Sequence, residues 1–195
     1  MNMKLAFFPF LILIFGCSHK PNADKQTALK AHASKSVSSD TVYKDTKTII
    51  IKNKSSFDTL LKFTSNLNDS LYFVKFQKVT PKEKLDFSRF KYGQQFITRT
   101  KDGVIEKGLN FAGHYSFVYW GCGSPCKLSA VVDLRTGIVY NGVISEIGYL
   151  CSPNSRVLVV NPPDSTGWYN KNIAWAIPRQ FVWDGQRFHE LKNFN

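Results

Sequence analysis

Two short turn sequences in the C-terminal half of the chain constrain its fold more than any other feature. Each stands between two runs that are rich in β-branched and aromatic residues, and the turns are 133–137 and 184–185. The first turn places Gly137 where a tight hairpin needs a positive φ. The second turn is an Asp-Gly pair, which is also typical of a tight hairpin. We therefore predict two antiparallel hairpins in this half.

Further strand-like runs lie before and between these hairpins. They are 48–52, 70–77, 114–120 and 156–160. Runs of this length and composition, bounded by Gly, Pro, Asn and Ser, are typical of strands in an antiparallel sheet. The pattern predicts a largely antiparallel β-sheet of about six strands.

One helix is predicted after Gly93, since Phe96, Ile97, Thr100 and Val104 fall on one face at helical spacing. Gly108 stands where a C-cap glycine would end it. Gly103 inside it costs about 1 kcal/mol relative to alanine, so this helix must pack on the sheet. A second, short helix is predicted over 56–63. The expected fold class is α+β, with one or two helices packed on the sheet.

The N-terminus has the composition of an export signal. The apolar run 5–15 is too short to span a bilayer stably, and a small residue and a cysteine follow it. This segment resembles the lipobox of bacterial lipoproteins, with Ile14 at minus three and Gly16 at minus one. The resemblance implies a lipoprotein signal peptide over 1–16 and acylation of Cys17, with palmitate among the chains. The alternative is an ordinary cleaved signal with a chance cysteine.

Residues 17–48 are predicted to be a disordered, lipid-anchored tether. They contain Ser, Lys, Ala, Asp and Thr with scarcely any apolar clusters, and such a segment cannot bury enough surface to offset the entropy of ordering it. The remaining residues, 49–195, are predicted to form a single α+β domain. Since Ser18 follows Cys17 and no acidic cluster comes next, we expect an outer-membrane anchor that faces the periplasm.

Three cysteines remain after the anchor, at Cys122, Cys126 and Cys151. An exported chain meets an oxidising compartment, so these are disulfide candidates before they are zinc ligands. We favour a bridge between Cys122 and Cys126. The alternative joins Cys151 to one of them.

The runs 110–115 (N-F-A-G-H-Y), 120–126 (W-G-C-G-x-x-C) and 133–137 (D-x-x-T-G) occur in this order. Together they resemble a family of small, uncharacterised exported bacterial proteins. The similarity covers roughly residues 85–191 and includes the Trp-Asp-Gly sequence at 183–185. It implies no particular activity.

Candidate binding residues come from this central segment and from an aromatic pair in a Gly- and Asn-rich region. They are Asn110, His114, Tyr115, Trp120, Trp168 and Tyr169. Aromatic rings bind sugars or peptides where they are exposed, and we expect Trp168 and Tyr169 to be the exposed pair in a loop. His114 with Cys122 is the catalytic candidate, with Asp133 or Glu146 to orient the imidazole.

The leading functional hypothesis is a non-catalytic binding or scaffolding module of the cell envelope. Its ligand would be an envelope protein, a glycan or a cell-wall component, and its membrane contact would be the lipid anchor. The alternative is a periplasmic hydrolase that uses a cysteine and a histidine. No cofactor and no metal are predicted. Nucleic acid is not expected as a partner, because its binding would use a basic stripe interleaved with aromatic rings. Here the excess of positive charge lies in the front half: residues 1–100 carry 17 Lys or Arg against 7 acids, whereas residues 101–195 carry 9 against 7.

Overall fold

The computed structural model describes residues 40–53 and 55–192. Within them the protein has one α-helix, α1 (Ile97–Lys107), and eleven strands in three antiparallel sheets, so it is an α+β protein. The strands are β1 (Asp40–Lys44), β2 (Thr48–Lys52), β3 (Phe57–Lys62), β4 (Tyr115–Gly123), β5 (Cys126–Asp133), β6 (Val139–Asn141), β7 (Tyr149–Leu150), β8 (Val157–Val160), β9 (Trp168–Asn170), β10 (Arg179–Trp183) and β11 (Phe188–Leu191).

The three sheets have simple orders. The N-terminal sheet is β1-β2-β3-β9, the central sheet is β4-β5-β6, and the C-terminal sheet is β11-β10-β8-β7. Both predicted hairpins are present: β5 pairs with β6 across the turn that ends at Gly137, and β10 pairs with β11 across Gly185. Gly137 has φ 82° and Gly185 has φ 104°, values that favour glycine.

The central sheet is the middle layer of the core. Side chains alternate across a strand, so Phe117 of β4 faces one side and Val118 faces the other. The Phe117 side packs against β8 and β10, and its largest fully buried partner is Trp183. The Val118 side is covered by α1 and by aromatic residues from 87–96. The sheet therefore carries a core on each face.

Helix α1 is found where the spacing predicted it. Gly108 caps it with φ 57°, and its N–H donates to Val104 O at 2.9 Å. A Cβ added at Gly103 would lie 3.0 Å from Val118 Cβ. The glycine thus lets the helix approach β4 closely, and this packing supports a helix that its own propensity would weaken.

Two local predictions are wrong. Residues 57–62 form strand β3 instead of a helix, because they pair with β2 on one side and with β9 on the other. The run 70–77 is no ladder strand: a 3-10 turn over Ser70–Tyr72 is capped by Asp69, and a single bridge joins Phe73 to Ser155. Short apolar runs are ambiguous, and tertiary pairing decides them.

The folded part of the chain begins before residue 48, the predicted end of the tether. Strand β1 lies over Asp40–Lys44, inside the segment 17–48, and pairs with β2. Asp45 closes the turn between them, since its Oδ1 accepts hydrogen bonds from Lys47 N at 2.7 Å and Thr48 N at 2.5 Å. The predicted signal peptide 1–16, the predicted lipidation site Cys17 and the predicted tether up to residue 39 lie outside the described residues. In the described ranges, no helix has the length and apolar character needed to cross a membrane.

Candidate functional site

The cysteine-rich end of β4 is closed by a disulfide. Cys122 and Cys126 are bonded, with their Cα atoms 5.2 Å apart, and they pin the exposed tip of the β4–β5 hairpin. The favoured pairing is therefore confirmed. Cys151 is free and half-buried.

The Cys151 thiol contacts the protein backbone in a half-buried position. Its Sγ lies 3.7 Å from Asn110 O, to which it donates a weak hydrogen bond. Burial raises its pKa to about 11, because the thiolate would lose its hydration. At neutral pH the group is a protonated thiol, which is a poor nucleophile.

We predict slow alkylation of Cys151 in the folded protein. The thiolate population falls about one hundredfold when the pKa rises from 9.0 to about 11, so iodoacetamide at pH 8 should label Cys151 at least that much more slowly than in the denatured protein. Peptide mass spectrometry of time points measures the rate. Equal rates in the folded and denatured protein would contradict this placement.

His114 and Cys122 are not neighbours. They stand at opposite ends of β4, and eight residue steps at about 3.3 Å each place them about 26 Å apart along the strand. Glu146 is also engaged elsewhere, since its Oε2 accepts a hydrogen bond from Asn161 Nδ2 at 2.8 Å. The structure does bring Asp133 near His114, with 3.7 Å between Asp133 Oδ1 and His114 Nε2.

The run 110–115 forms a tight turn that leads into β4. Asn110 clamps it: its Oδ1 accepts from Phe117 N at 2.6 Å, and its Nδ2 donates to Phe117 O at 2.9 Å. Gly113 has φ 85°, and a Cβ there would lie 3.0 Å from Lys75 O. Asn110 is thus bound into the fold, and the turn carries His114 to the surface of the core.

Three aromatic candidates are placed differently from the prediction. Trp120 is only 8% exposed and stacks on Phe96 at 5.5 Å, so it belongs to the core. Trp168 and Tyr169 are half-buried in strand β9 and do not form an exposed loop, because β9 pairs with β3. The strongly exposed tryptophan is Trp175, at 56%, which the sequence did not single out.

A cavity of about 300 Å³ lies beside His114. One wall is the turn 112–115 and another is the hairpin 183–185, so two separate parts of the sequence signature meet there. The remaining wall comes from Arg156 and from the extended segment 74–77. The Trp120–Cys126 loop does not contribute.

His114 is a half-buried imidazole whose pKa is lowered from its usual value. Burial lowers its pKa most strongly, Arg135 lowers it further, and Asp133 opposes part of the shift. Its Nε2 is buried and has no hydrogen-bond partner among the described residues. A buried polar atom without a hydrogen-bond partner is uncommon, and Asp133 Oδ1 lies 3.7 Å from this one.

Trp183 provides a second such atom. The residue is 1% exposed, and its Nε1 makes no hydrogen bond of acceptable geometry within the described ranges. Tyr115 lies across it, with ring centroids 5.6 Å apart in an edge-to-face arrangement. Burial raises the pKa of Tyr115, while the nearby indole N–H opposes part of that rise. The rings of His114, Tyr115 and Trp183 therefore lie together beside the cavity.

The charged groups that line the cavity differ in whether they already have partners in the fold. Asp184 is held inside its own hairpin, where Oδ2 lies 2.6 Å from His189 Nε2 and Oδ1 accepts from two backbone N–H groups. Although partial burial raises the pKa of Asp184, these hydrogen bonds lower it to about 2. In the described part of the chain, Lys75 and Arg156 form no ion pair. Two cations are thus available to a ligand.

Metal-dependent chemistry needs a cluster of ligand side chains. Among the described residues there is no group of three or more His, Cys, Asp or Glu that could hold a metal ion.

Comparison of the chain with protein-family models, with curated proteins and with solved structures finds no match. A functional assignment consequently depends on the chemistry of the site itself.

Proposed function

We propose that this protein is a non-catalytic binding module of the bacterial cell envelope, anchored through Cys17, and that the cavity beside His114 is its ligand site. One observation carries the proposal. The turn 112–115 and the hairpin 183–185 are distant in the chain, yet they line one cavity together with two cationic residues, Lys75 and Arg156.

The lining favours a small ligand that bears a carboxylate. Lys75 and Arg156 supply positive charge, and an arginine can bind a carboxylate through two N–H groups. His114 and Trp183 supply ring surface beside it. A volume of about 300 Å³ is at the small end of ligand sites, which suits a small acid or the carboxyl end of a peptide.

Binding suits these residues better than catalysis does. A cysteine hydrolase needs a thiolate beside its histidine. Here Cys122 is bonded to Cys126, and the Cys151 thiol is protonated and outside the cavity lining. Among the described residues that line the cavity, none is Ser, Thr or Cys.

Titration with benzoate tests the ligand site. Benzoate and the uncharged benzamide have the same shape, so they separate charge from ring burial. We expect benzoate to shift the Trp183 indole N–H signal in NMR spectra, and benzamide to bind about tenfold more weakly, because a hydrogen bond to a charged group is worth more than one to a neutral group. His114→Ala should weaken benzoate binding, whereas Trp175→Phe should not. Binding that is the same for both probes, or that survives unchanged in His114→Ala, would contradict the proposal.

Labelling with an alkyne analogue of palmitate tests the anchor. The full chain expressed in a bacterium should incorporate the analogue and fractionate with membranes. Cys17→Ser should lose the label, because the acceptor sulfur is gone, and Cys151→Ser should keep it. Labelling that persists in Cys17→Ser would refute an anchor at this residue.

A further inference from the structure

An exposed apolar surface lies at one end of the N-terminal and the C-terminal sheets. Its side chains are large and apolar, yet each keeps between 37% and 56% of its surface exposed. We call this surface the apolar rim, and it consists of Phe57, Ile144, Ile147, Ile173 and Trp175. Of these residues, none lines the cavity beside His114. Large apolar side chains that remain exposed together mark a contact with another molecule or with a membrane.

Asn161 fixes two segments of the apolar rim side by side. Its Oδ1 accepts a hydrogen bond from Ile147 N at 3.0 Å, and its Nδ2 donates to Trp175 O at 3.0 Å. Arg179 adds a hydrogen bond from its Nη2 to Ile144 O at 3.5 Å. The exposed side chains of these segments are therefore carried by backbone that the fold holds in place.

The register of the C-terminal sheet explains why these segments share one end. Tyr149 of β7 and Arg179 of β10 both pair with Val160 of β8. Since both strands are antiparallel to β8, they begin at the same end of the sheet. Ile147 and Trp175 precede the first residues of β7 and β10, so they lie beyond that end.

The segment 171–175 extends the apolar rim to the N-terminal sheet. Asn172 Nδ2 donates a hydrogen bond to Phe57 O at 2.8 Å. Ile173 comes next in the chain and Trp175 follows, and three residue steps span at most about 11 Å. Phe57 therefore lies near both residues, and the rim is continuous across the two sheets.

The described chain begins at this same end of the N-terminal sheet. Asp40, the first residue of β1, pairs with Lys52, and Lys52 pairs with Phe57. Neighbouring strands are about 4.8 Å apart, so Asp40 lies about 10 Å from Phe57. Residues 18–39 connect this point to Cys17, the lipid anchor proposed above. A chain that is attached to a membrane through Cys17 thus enters the fold beside the apolar rim.

The composition of the apolar rim suits the interface of a lipid bilayer. Tryptophan is enriched at that depth, because its ring is apolar and its N–H can contact the headgroups, and isoleucine adds apolar surface. Charges of both signs border the rim, with Lys52 and Lys171 exposed and with Asp58 and Glu146 each accepting a hydrogen bond from an asparagine. Apolar burial, and not charge, therefore drives the contact.

We propose that the apolar rim inserts into the surface of the lipid bilayer to which the chain is anchored. The inference rests on the anchor at Cys17, because a few partly exposed side chains bind a membrane weakly by themselves. Anchoring supplies the high effective concentration of lipid that makes such a weak contact populated. The contact sets which side of the folded chain faces the membrane.

Fluorescence quenching by brominated phospholipid tests the contact on the full chain. Trp175 is the most exposed of the four tryptophans, since Trp120 and Trp183 are buried and Trp168 is half-buried. Protein purified from bacterial membranes is reconstituted into vesicles of phosphatidylethanolamine and phosphatidylglycerol, and its emission should fall when the acyl chains carry bromine. Trp175→Phe should remove this fall, because it keeps a ring in the rim but removes the reporter. A fall that persists in Trp175→Phe would overturn the proposal.

Charged replacements in the apolar rim measure its contribution. Ile147→Asp should lower the ratio of docked to undocked protein about tenfold and so remove most of the Trp175 quenching, because the apolar side chain no longer leaves water. Ile173→Asp should act alike, which keeps the test valid if Ile147→Asp disturbs its loop. Ile105→Asp is the matched control, since Ile105 is 84% exposed on α1, across the central sheet from β8 and β10. Equal loss in Ile105→Asp would contradict a contact at the rim.

The palmitate label in the same preparation separates this inference from the anchor. Labelled protein without Trp175 quenching would overturn the membrane contact and leave the anchor intact. Unlabelled protein whose Trp175 is still quenched would refute the anchor and support the contact. A dimer of the full chain that Ile147→Asp abolishes, in the absence of quenching, would assign the apolar rim to a second copy of the protein.

Discussion

Replacement of Trp183 by alanine is expected to lower the free energy of unfolding by about 4 kcal/mol. Trp183 is 1% exposed and joins the central and C-terminal sheets. Its ring contacts three others, at centroid distances of 5.6 Å to Tyr115, 5.5 Å to Tyr140 and 4.9 Å to Phe188. The substitution removes these contacts and leaves a cavity that the surrounding sheets cannot close.

Urea denaturation measures this effect. Trp175→Ala is the matched control, because Trp175 is 56% exposed and its truncation should change stability by less than about 0.5 kcal/mol. Trp183→Phe should retain a large part of the stability, since a ring still fills the site. A loss below about 1 kcal/mol for Trp183→Ala would show that this residue is not at the centre of the core.

Asn161→Ala is expected to cost about 3 kcal/mol, because a buried hydrogen-bonding centre is lost. Asn161 is 2% exposed and follows strand β8. Its Oδ1 accepts hydrogen bonds from Ser145 Oγ at 2.7 Å, Glu146 N at 3.1 Å and Ile147 N at 3.0 Å. Its Nδ2 donates to Trp175 O at 3.0 Å. One side chain therefore ties two separate loops to the sheet.

Comparison of Asn161→Ala with Asn161→Gly separates the contribution of the side-chain hydrogen bonds to stability from that of the backbone conformation. Asn161 has φ 52°, a region that asparagine and glycine tolerate better than alanine. Asn161→Gly removes the hydrogen bonds but not the conformational fit, so it should be about 1 kcal/mol more stable than Asn161→Ala. Urea denaturation of both variants gives the difference. Equal stability of the alanine variant and the unmodified protein would contradict the role of this centre.

The hairpins and the helix could be predicted because their signals are local. Gly137 and Gly185 supply positive φ within their own turns, and Gly108 ends α1 by a contact within that helix. Such signals do not depend on the rest of the fold. The class α+β followed from them.

The N-terminal sheet could not be predicted in the same way. Strand β3 is a strand because β2 and β9 flank it, and β9 is more than a hundred residues away in the chain. Strand β1 contains two exposed apolar residues, Val42 and Tyr43, and lies in a region whose composition resembles a tether. Only long-range pairing distinguishes these segments from a helix or a loop.

The sequence pointed to one half of the candidate site. His114 could be chosen for its chemical latitude, and the resemblance included the hairpin 183–185. Arg156 and Lys75 carried no signal, because their significance comes from segments that meet only in the folded protein.

The pKa of His114, measured by NMR of its ring with and without benzoate, tests the binding site most directly. Burial disfavours the imidazolium, so the free protein should show a pKa below 6.5. A bound carboxylate favours the imidazolium, so benzoate should raise this pKa and should itself bind more tightly as the pH falls through that range. A pKa that does not change when benzoate is added would contradict a carboxylate site beside His114.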